Sequence, residues 1–259
     1  MLSRRTFIQS VAAGTALSAM SRTEAAPASS QTAARRARIQ VFDVNETLLD
    51  VTALEPHFTR AFRDGAVLRE WFSTALLYSE VATLAGPYSD FGSIGGAALD
   101  MTAAARGVSL SAEDRNGILT GMLAHPAHKE VRDGLDQLRK AGFRLVTLTN
   151  SSPKAVAQQL KHAGLSEFFE RAFSVDSVRR FKPAAEAYRH VASELSVPIG
   201  SLRLVAAHAW DVIGALQVGC LAAFVARPGK VLYPLGPKPD VVGPDVRAVA
   251  AQIIKFDAV

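Results

Sequence analysis

The sequence predicts an α/β protein, a parallel sheet with helices on both faces, interrupted early by a helical insertion. Two observations carry this. From Glu130 onward, short apolar runs alternate with amphipathic stretches, the pattern of strands joined by crossover helices. Before that, one short apolar run at 38–43 is followed by a long segment, 52–124, whose apolar residues recur at three- and four-residue intervals.

Taken in order, Arg38-Ile39-Gln40-Val41-Phe42-Asp43 is a strand that runs into a polar turn. Ala66 to Leu84 and Leu99 to Arg106 are helical pieces, with breaks expected at Gly86-Pro87 and Gly95-Gly96. Val131 to Ala141 is an amphipathic helix stopped by Gly142, and Phe143 to Leu148 is a buried strand. Pro153 to Ala163 is a helix closed by Gly164, Arg171 to Val175 a short strand, and Ala184 to Leu195 a helix. Leu202 to Ala206, Trp210 to Val218 and Leu221 to Val225 complete the series as strand, helix and strand.

The 259 residues are 49% hydrophobic and 20% charged, enough to build a substantial core. A net charge of +5 is spread without runs of like sign, which argues against a nucleic-acid partner. The single cysteine, Cys220, excludes an intramolecular disulfide and reads as a small buried hydrophobe. At the N-terminus, Ser3-Arg4-Arg5-Thr6-Phe7-Ile8 precedes a mild apolar run, Val11 to Met20, and then Ala25-Ala26-Pro27-Ala28. That order is the order of a secretory signal, and the paired arginines resemble the twin-arginine type. Residues 1–28 are therefore expected to be a signal peptide and 29–37 a linker, placing the protein in the periplasm or outside the cell. The apolar run is too short for a permanent membrane span.

Ligands in parallel sheets bind beyond the carboxyl ends of the strands. Asp43, Thr149-Asn150 and the segment Ala207 to Asp211 all fall at such ends, and Lys182 follows another strand after a short loop. A carboxylate at the tip of a buried strand costs solvation energy unless donors hold it. Thr47 can supply a hydroxyl and Lys182 a charge, while Asp211 is the second acid expected to converge there. His125 and His128 flank Pro126 and read as a polar hinge, since no third ligand is spaced with them for a metal.

These segments resemble the motifs of the haloacid dehalogenase superfamily. Phe42-Asp43-Val44-Asn45-Glu46-Thr47-Leu48 is similar to the first motif, Leu148-Thr149-Asn150 to the second, Phe181-Lys182-Pro183 to the third and Ala209-Trp210-Asp211 to the fourth. Within the superfamily the likeness is to the type II L-2-haloacid dehalogenases. Asn45 stands where the phosphatases carry a second Asp, Lys182 and Tyr188 have the K-P-x-x-x-x-Y spacing, and Ala-His-Ala-Trp precedes Asp211. The likeness spans residues 38 to 255 and implies a Rossmann-like core (38–51 and 128–259) with a helical cap at 52–127.

The resemblance also implies a mechanism without metal or organic cofactor. Asp43 would attack the carbon bearing the halogen of a small anionic 2-haloacid, and water would then hydrolyse the ester to a 2-hydroxy acid. Lys182 would keep Asp43 ionised. Thr47 and Thr149 would orient carboxylate oxygens, and Asn150 would donate to substrate or leaving group. Asp211 would orient or activate water, and Tyr188 would support Lys182 or the pocket. Backbone amides at Val44 and Asn45 would bind the substrate. Phe72, Leu76, Phe91, His208 and Trp210 would border it. A homodimer is expected from the likeness alone.

The first cap helix departs from the family. Trp71-Phe72-Ser73-Thr74-Ala75-Leu76-Leu77-Tyr78 carries Phe72 where the dehalogenases carry a halide-binding Arg. Loss of such a donor is worth on the order of 3 kcal/mol by analogy with an oxyanion hole. Arg69 and His208 are the two conceivable replacements. His208 and Ala206 also replace family residues before the Trp. The alternatives are a hydrolase of the same fold acting on another substrate, such as a magnesium-dependent phosphatase, and a binding protein with altered catalytic machinery.

Overall fold

A computed structural model describes residues 37–257; the expected signal peptide and nearly all of the expected linker lie outside the described residues. Six strands form one parallel sheet: β1 (Ile39–Phe42), β2 (Arg144–Thr149), β3 (Arg171–Ser174), β4 (Leu202–Ala206), β5 (Leu221–Val225) and β6 (Val241–Gly243). Their order is β3-β2-β1-β4-β5-β6. In the register, Val41 of β1 lies between Val146 of β2 and Leu204 of β4. Strand order reverses at β1, so the crevice beside β1 and β4 is the expected ligand position.

The period-two alternation of β1 divides the core. Ile39 and Val41 face one apolar cluster with residues of α7 (Ala185–Glu194) and α8 (Ala209–Val218). Phe42 faces the other, with residues of α5 (Val131–Lys140), α6 (Pro153–His162) and α9 (Val246–Asp257). Helices thus cover both faces, as a sheet of buried parallel strands requires. The short strand β6 and helix α9, which close the sheet's far edge, were not among the expected elements.

Between β1 and α5 the chain forms α1 (Glu55–Phe62), α2 (Val67–Ala85), α3 (Phe91–Ala105) and α4 (Ala112–Gly121). The break at Gly86-Pro87 separates α2 from α3. The break expected at Gly95-Gly96 does not occur, because α3 runs straight through both glycines. Their role is close approach: Trp71 of α2 donates its indole N–H to the Gly95 carbonyl at 2.8 Å, and a Cβ on Gly96 would come within 3.1 Å of the Arg115 guanidinium. Phe58, Trp71, Phe72 and Phe91 make a chain of aromatic contacts inside this layer. Thr83 ties it to the core, its hydroxyl accepting from the Phe181 N–H at 3.0 Å. Among the described residues no helix is long and apolar enough to cross a membrane.

Candidate active site

Asp43 follows β1 directly and is 5% exposed. Three side chains reach its carboxylate. Thr47 donates its hydroxyl to Oδ2 at 2.6 Å, Lys182 donates Nζ to Oδ1 at 2.8 Å, and His208 places Nδ1 3.2 Å from Oδ2. The His208 contact has ion-pair distance without hydrogen-bond alignment. Burial pushes the Asp43 pKa up, but the Lys182 ammonium and the His208 imidazole outweigh it and hold the carboxyl well below the usual range. The group is an anion at any working pH, poised as a nucleophile.

Lys182 lies 1% exposed behind Asp43 and spends all three of its donors. Besides Asp43 it bonds the Leu148 carbonyl at 2.9 Å and Oδ2 of Asp211 at 2.6 Å. Desolvation would lower its pKa, but Asp211 and Asp43 together raise it. Asp211 sits in the first turn of α8, where a helix N-terminus favours negative charge. Its other oxygen accepts the Tyr188 hydroxyl at 2.6 Å, and it is wholly buried. Burial, with the charge of Asp43 added, raises the Asp211 pKa against the pull of Lys182. Tyr188, whose own pKa is driven up by burial and by Asp211, bonds Asp211 directly and so reaches the Lys182 ammonium through it. Gly214, one turn along α8 from Asp211, makes this packing possible: a Cβ there would lie 2.6 Å from both the Tyr188 hydroxyl and the Pro183 Cβ.

The other side of Asp43 is built from the turn after β1. Glu46 adopts a left-handed conformation (φ 61°), an uncommon one for a residue bearing a side chain. Its Oε2 meets Nε2 of His208 at 2.8 Å and Nζ of Lys230 at 2.7 Å. Burial works against ionisation of Glu46, but His208 and Lys230 prevail and lower its pKa. Burial likewise lowers the His208 pKa, yet Asp43 and Glu46 overcome it and bring the imidazole up to about 9. His208 stacks on Trp210 with ring centroids 5.0 Å apart, and the Lys182 ammonium lies 5.9 Å from the Trp210 ring centre. Thr47 is fixed from both ends: its hydroxyl accepts the Ala207 N–H at 2.9 Å and its carbonyl accepts two bonds from Arg227 at 3.0 and 2.6 Å.

The turn after β2 forms the third wall. Thr149 accepts the Ser151 N–H on its hydroxyl at 3.1 Å, and Asn150 accepts the Lys182 N–H on Oδ1 at 3.1 Å. Asn45 donates Nδ2 to the Ser151 hydroxyl at 3.2 Å and accepts from Gln159 at 3.0 Å. Val44 turns its side chain into the apolar core, which leaves only its backbone for a ligand. Against Ser151 and Gln159 opens an apolar cavity of about 560 Å³, solvent-facing space included, with Phe72, Phe91, Leu119 and Met122 in its walls. Leu76, expected in this wall, packs half-buried against the aromatic cluster and does not line the cavity.

Arg69 is exposed on the outer side of α2, whereas Phe72 is buried; of the two conceivable replacements for a halide-binding Arg, only His208 lies at the site. Glu46, Ser151 and Gln159 join the site without having been singled out from sequence, whereas the turn Arg227-Pro228-Gly229-Lys230 was expected either as a plain turn after β5 or as a border of the substrate entrance, and its Arg227 and Lys230 reach Thr47 and Glu46. For Glu46 a signal existed, its position inside the first motif. Burial holds His125 neutral, with a pKa pushed down to about 4. Among the described residues no three His, Cys, Asp or Glu side chains cluster as a metal site.

Comparison with known proteins agrees with this geometry. A model of the haloacid dehalogenase-like hydrolases matches residues 38–219. An (S)-2-haloacid dehalogenase of Pseudomonas sp. (strain YL) is 30% identical over 210 residues, 80% of this chain and 90% of that protein. The solved structure of the L-2-haloacid dehalogenase of Xanthobacter autotrophicus superposes with a TM-score of 0.78 at 25% identity, covering 84% of this chain and 98% of that one. A further structure of that enzyme holds chloropropionic acid covalently bound; it has the same TM-score, 24% identity and the same coverage of both chains. On its sequence and its fold, the chain belongs to the haloacid dehalogenase-like hydrolases.

Proposed function

We propose that this protein hydrolyses the carbon–halogen bond of a short 2-haloalkanoic acid, releasing halide and a 2-hydroxy acid. The observation that carries the reading is the Asp43 carboxylate at the tip of β1, with Lys182 Nζ 2.8 Å away and the apolar cavity opening nearby, against partners of Asn45. Asp43 displaces halide from the substrate carbon and becomes an ester; water attacks the ester carbonyl and frees the hydroxy acid. Lys182 keeps Asp43 anionic for the first step. Asp211 and Tyr188 hold Lys182 in place through the contacts described above.

The four-helix insertion acts as a cap over the cavity, and its Phe72 gives the halogen end of the pocket an apolar lining. A magnesium-dependent phosphatase is the less favoured reading. The Lys182 ammonium already occupies the space between Asp43 and Asp211, and Asn45 is spent on Ser151 and Gln159. Export by the twin-arginine route and dimerisation remain parts of this reading. Exposed Leu77, Val81 and Leu84 on α2 support a self-association surface. N-terminal sequencing of secreted material and light scattering test them.

The functional test is halide release from L- and D-2-chloropropionate and from haloacetates, beside phosphate release from p-nitrophenyl phosphate. Halide release that persists in EDTA is the expected result. Magnesium-dependent phosphate release with no halide would overturn the proposal.

A further inference from the structure

We infer that His208, oriented by Glu46, is the base that activates water to free the product from Asp43. The inference rests on the dehalogenase reading and deepens it by naming the group behind the second step.

Four side chains form a line: Asp43 Oδ2 to His208 Nδ1 at 3.2 Å, His208 Nε2 to Glu46 Oε2 at 2.8 Å, and the same Glu46 oxygen to Lys230 Nζ at 2.7 Å. A nucleophile, a base touching it and a carboxylate orienting the base are the parts of a two-step covalent hydrolysis. Asp211 is badly placed for the same task. Both of its oxygens accept bonds from Lys182 and Tyr188, and it has no exposed surface. His208 also has an outlet. Glu46 and Lys230 border a solvent-open cavity with Asp50, His128 and Arg227, and the side chains of Glu46 and Lys230 are 23% and 28% exposed.

The steps balance as follows. In the resting enzyme His208 is an imidazolium paired with the Asp43 anion and Glu46. Asp43 forms a C–O bond to the substrate while halide departs with the C–halogen electron pair. Esterification removes the anion facing Nδ1, so the imidazolium loses half of its support and releases its Nδ1 proton to solvent as halide leaves and water enters. Neutral His208 then keeps its remaining proton on Nε2, donated to Glu46, which leaves the Nδ1 lone pair facing the ester. Nδ1 takes a proton from a water whose oxygen adds to the Asp43 carbonyl carbon. The tetrahedral centre collapses, expelling the 2-oxido acid, which takes that proton back from Nδ1. The Asp43 carboxylic acid then reprotonates His208. In sum, haloacid and water give hydroxy acid, halide and one proton.

The facing charges set the pH behaviour. Lys182 reaches Asp43 from the opposite oxygen and approaches Trp210, the ring on which His208 stacks; Glu46 and Lys230 face Nε2; Asp211 lies behind Lys182. Ester hydrolysis should therefore accelerate with rising pH, with an apparent pKa below the resting value of about 9, since the Asp43 charge is absent at that stage.

The test mixes enzyme with L-2-chloropropionate and follows chloride, hydroxy acid and intact protein mass. His208→Gln should release about one chloride per site in a burst, accumulate the Asp43 ester, and lose on the order of 10² to 10⁴ in kcat. Turnover without accumulated ester, or a folded variant with no burst, would overturn the inference. Should His208→Gln fail to fold, Glu46→Gln decides. It keeps the shape but lets an amide N–H face Nε2, which favours the wrong tautomer. It should keep the burst, lower kcat by about 10-fold or more and move the rise of kcat with pH to lower pH. Unchanged kcat and pH profile in Glu46→Gln would overturn the inference. Absence of chloride release from the wild type is a separate outcome: it rejects the dehalogenase reading itself.

Discussion

The two sides of Asp43 are built for different work. On one side Lys182, Asp211 and Tyr188 form a sealed network in which each member is at most 2% exposed and Lys182 has no donor to spare. On the other, His208 leads through Glu46 to Lys230 and the solvent. A sealed network holds charge in place and exchanges protons poorly. A chain that ends in water can take up and release them. Lys182, Tyr188 and Asp211 on the sealed side match the dehalogenase motifs, while the open side carries, beside Thr47, His208, one of the chain's departures from them. The fixed part of the chemistry thus resides on one wall and the adaptable part on the other.

The largest expected effect comes from the residue both walls share. Asp43→Asn removes the attacking anion and should abolish halide release, measured as loss of any burst. Lys182→Met strikes the sealed wall and leaves two buried carboxylates without their cation, a loss of about 3–5 kcal/mol by denaturant unfolding. His208→Gln should cost less, because Glu46 keeps Lys230 and partial exposure. Equal or reversed costs would break the contrast between the walls.

pH separates them further. His208 is raised from its ordinary value near 6.5 to about 9, so its contribution to stability is fully present below about pH 6.5 and is lost as pH climbs through about 9. Thermal unfolding should show a decline over that window of up to about 3 kcal/mol in stability, flattened in His208→Gln. Asp43, with its pKa depressed, contributes in the opposite sense: its share is present above the ordinary carboxylate pKa and fades only in strong acid. The smallest effect is Gly214→Ala. Its methyl would press on the Tyr188 hydroxyl and Pro183, costing about 1–3 kcal/mol and lowering kcat by disturbing Asp211.

Much of this was legible in the residues. The strands β4 and β5 were read to the residue, and Asp43, Thr47, Lys182 and Asp211 converge as their places at strand ends implied. Periodicity shows where a strand ends, and a sheet brings those ends together. It does not show contacts made across the chain. Glu46 meets Lys230 over 184 residues and Asn45 meets Gln159 over 114, and no spacing announces either pair. β6 is three residues long, too short for an alternation to register. Gly95-Gly96 looked like a helix break because glycine's propensity is poor; packing of α3 against Trp71 and Arg115 overrode it.

The central claim is that Asp43 itself becomes the ester. It is tested most directly by a single turnover in water enriched in ¹⁸O, followed by mass spectrometry of the product and of the peptide containing Asp43. The mechanism predicts label in the Asp43 carboxylate and none in the hydroxy acid, whose new oxygen comes from the enzyme. Label in the hydroxy acid with an unlabelled Asp43 would mean that water attacks the substrate carbon directly, and would contradict the account.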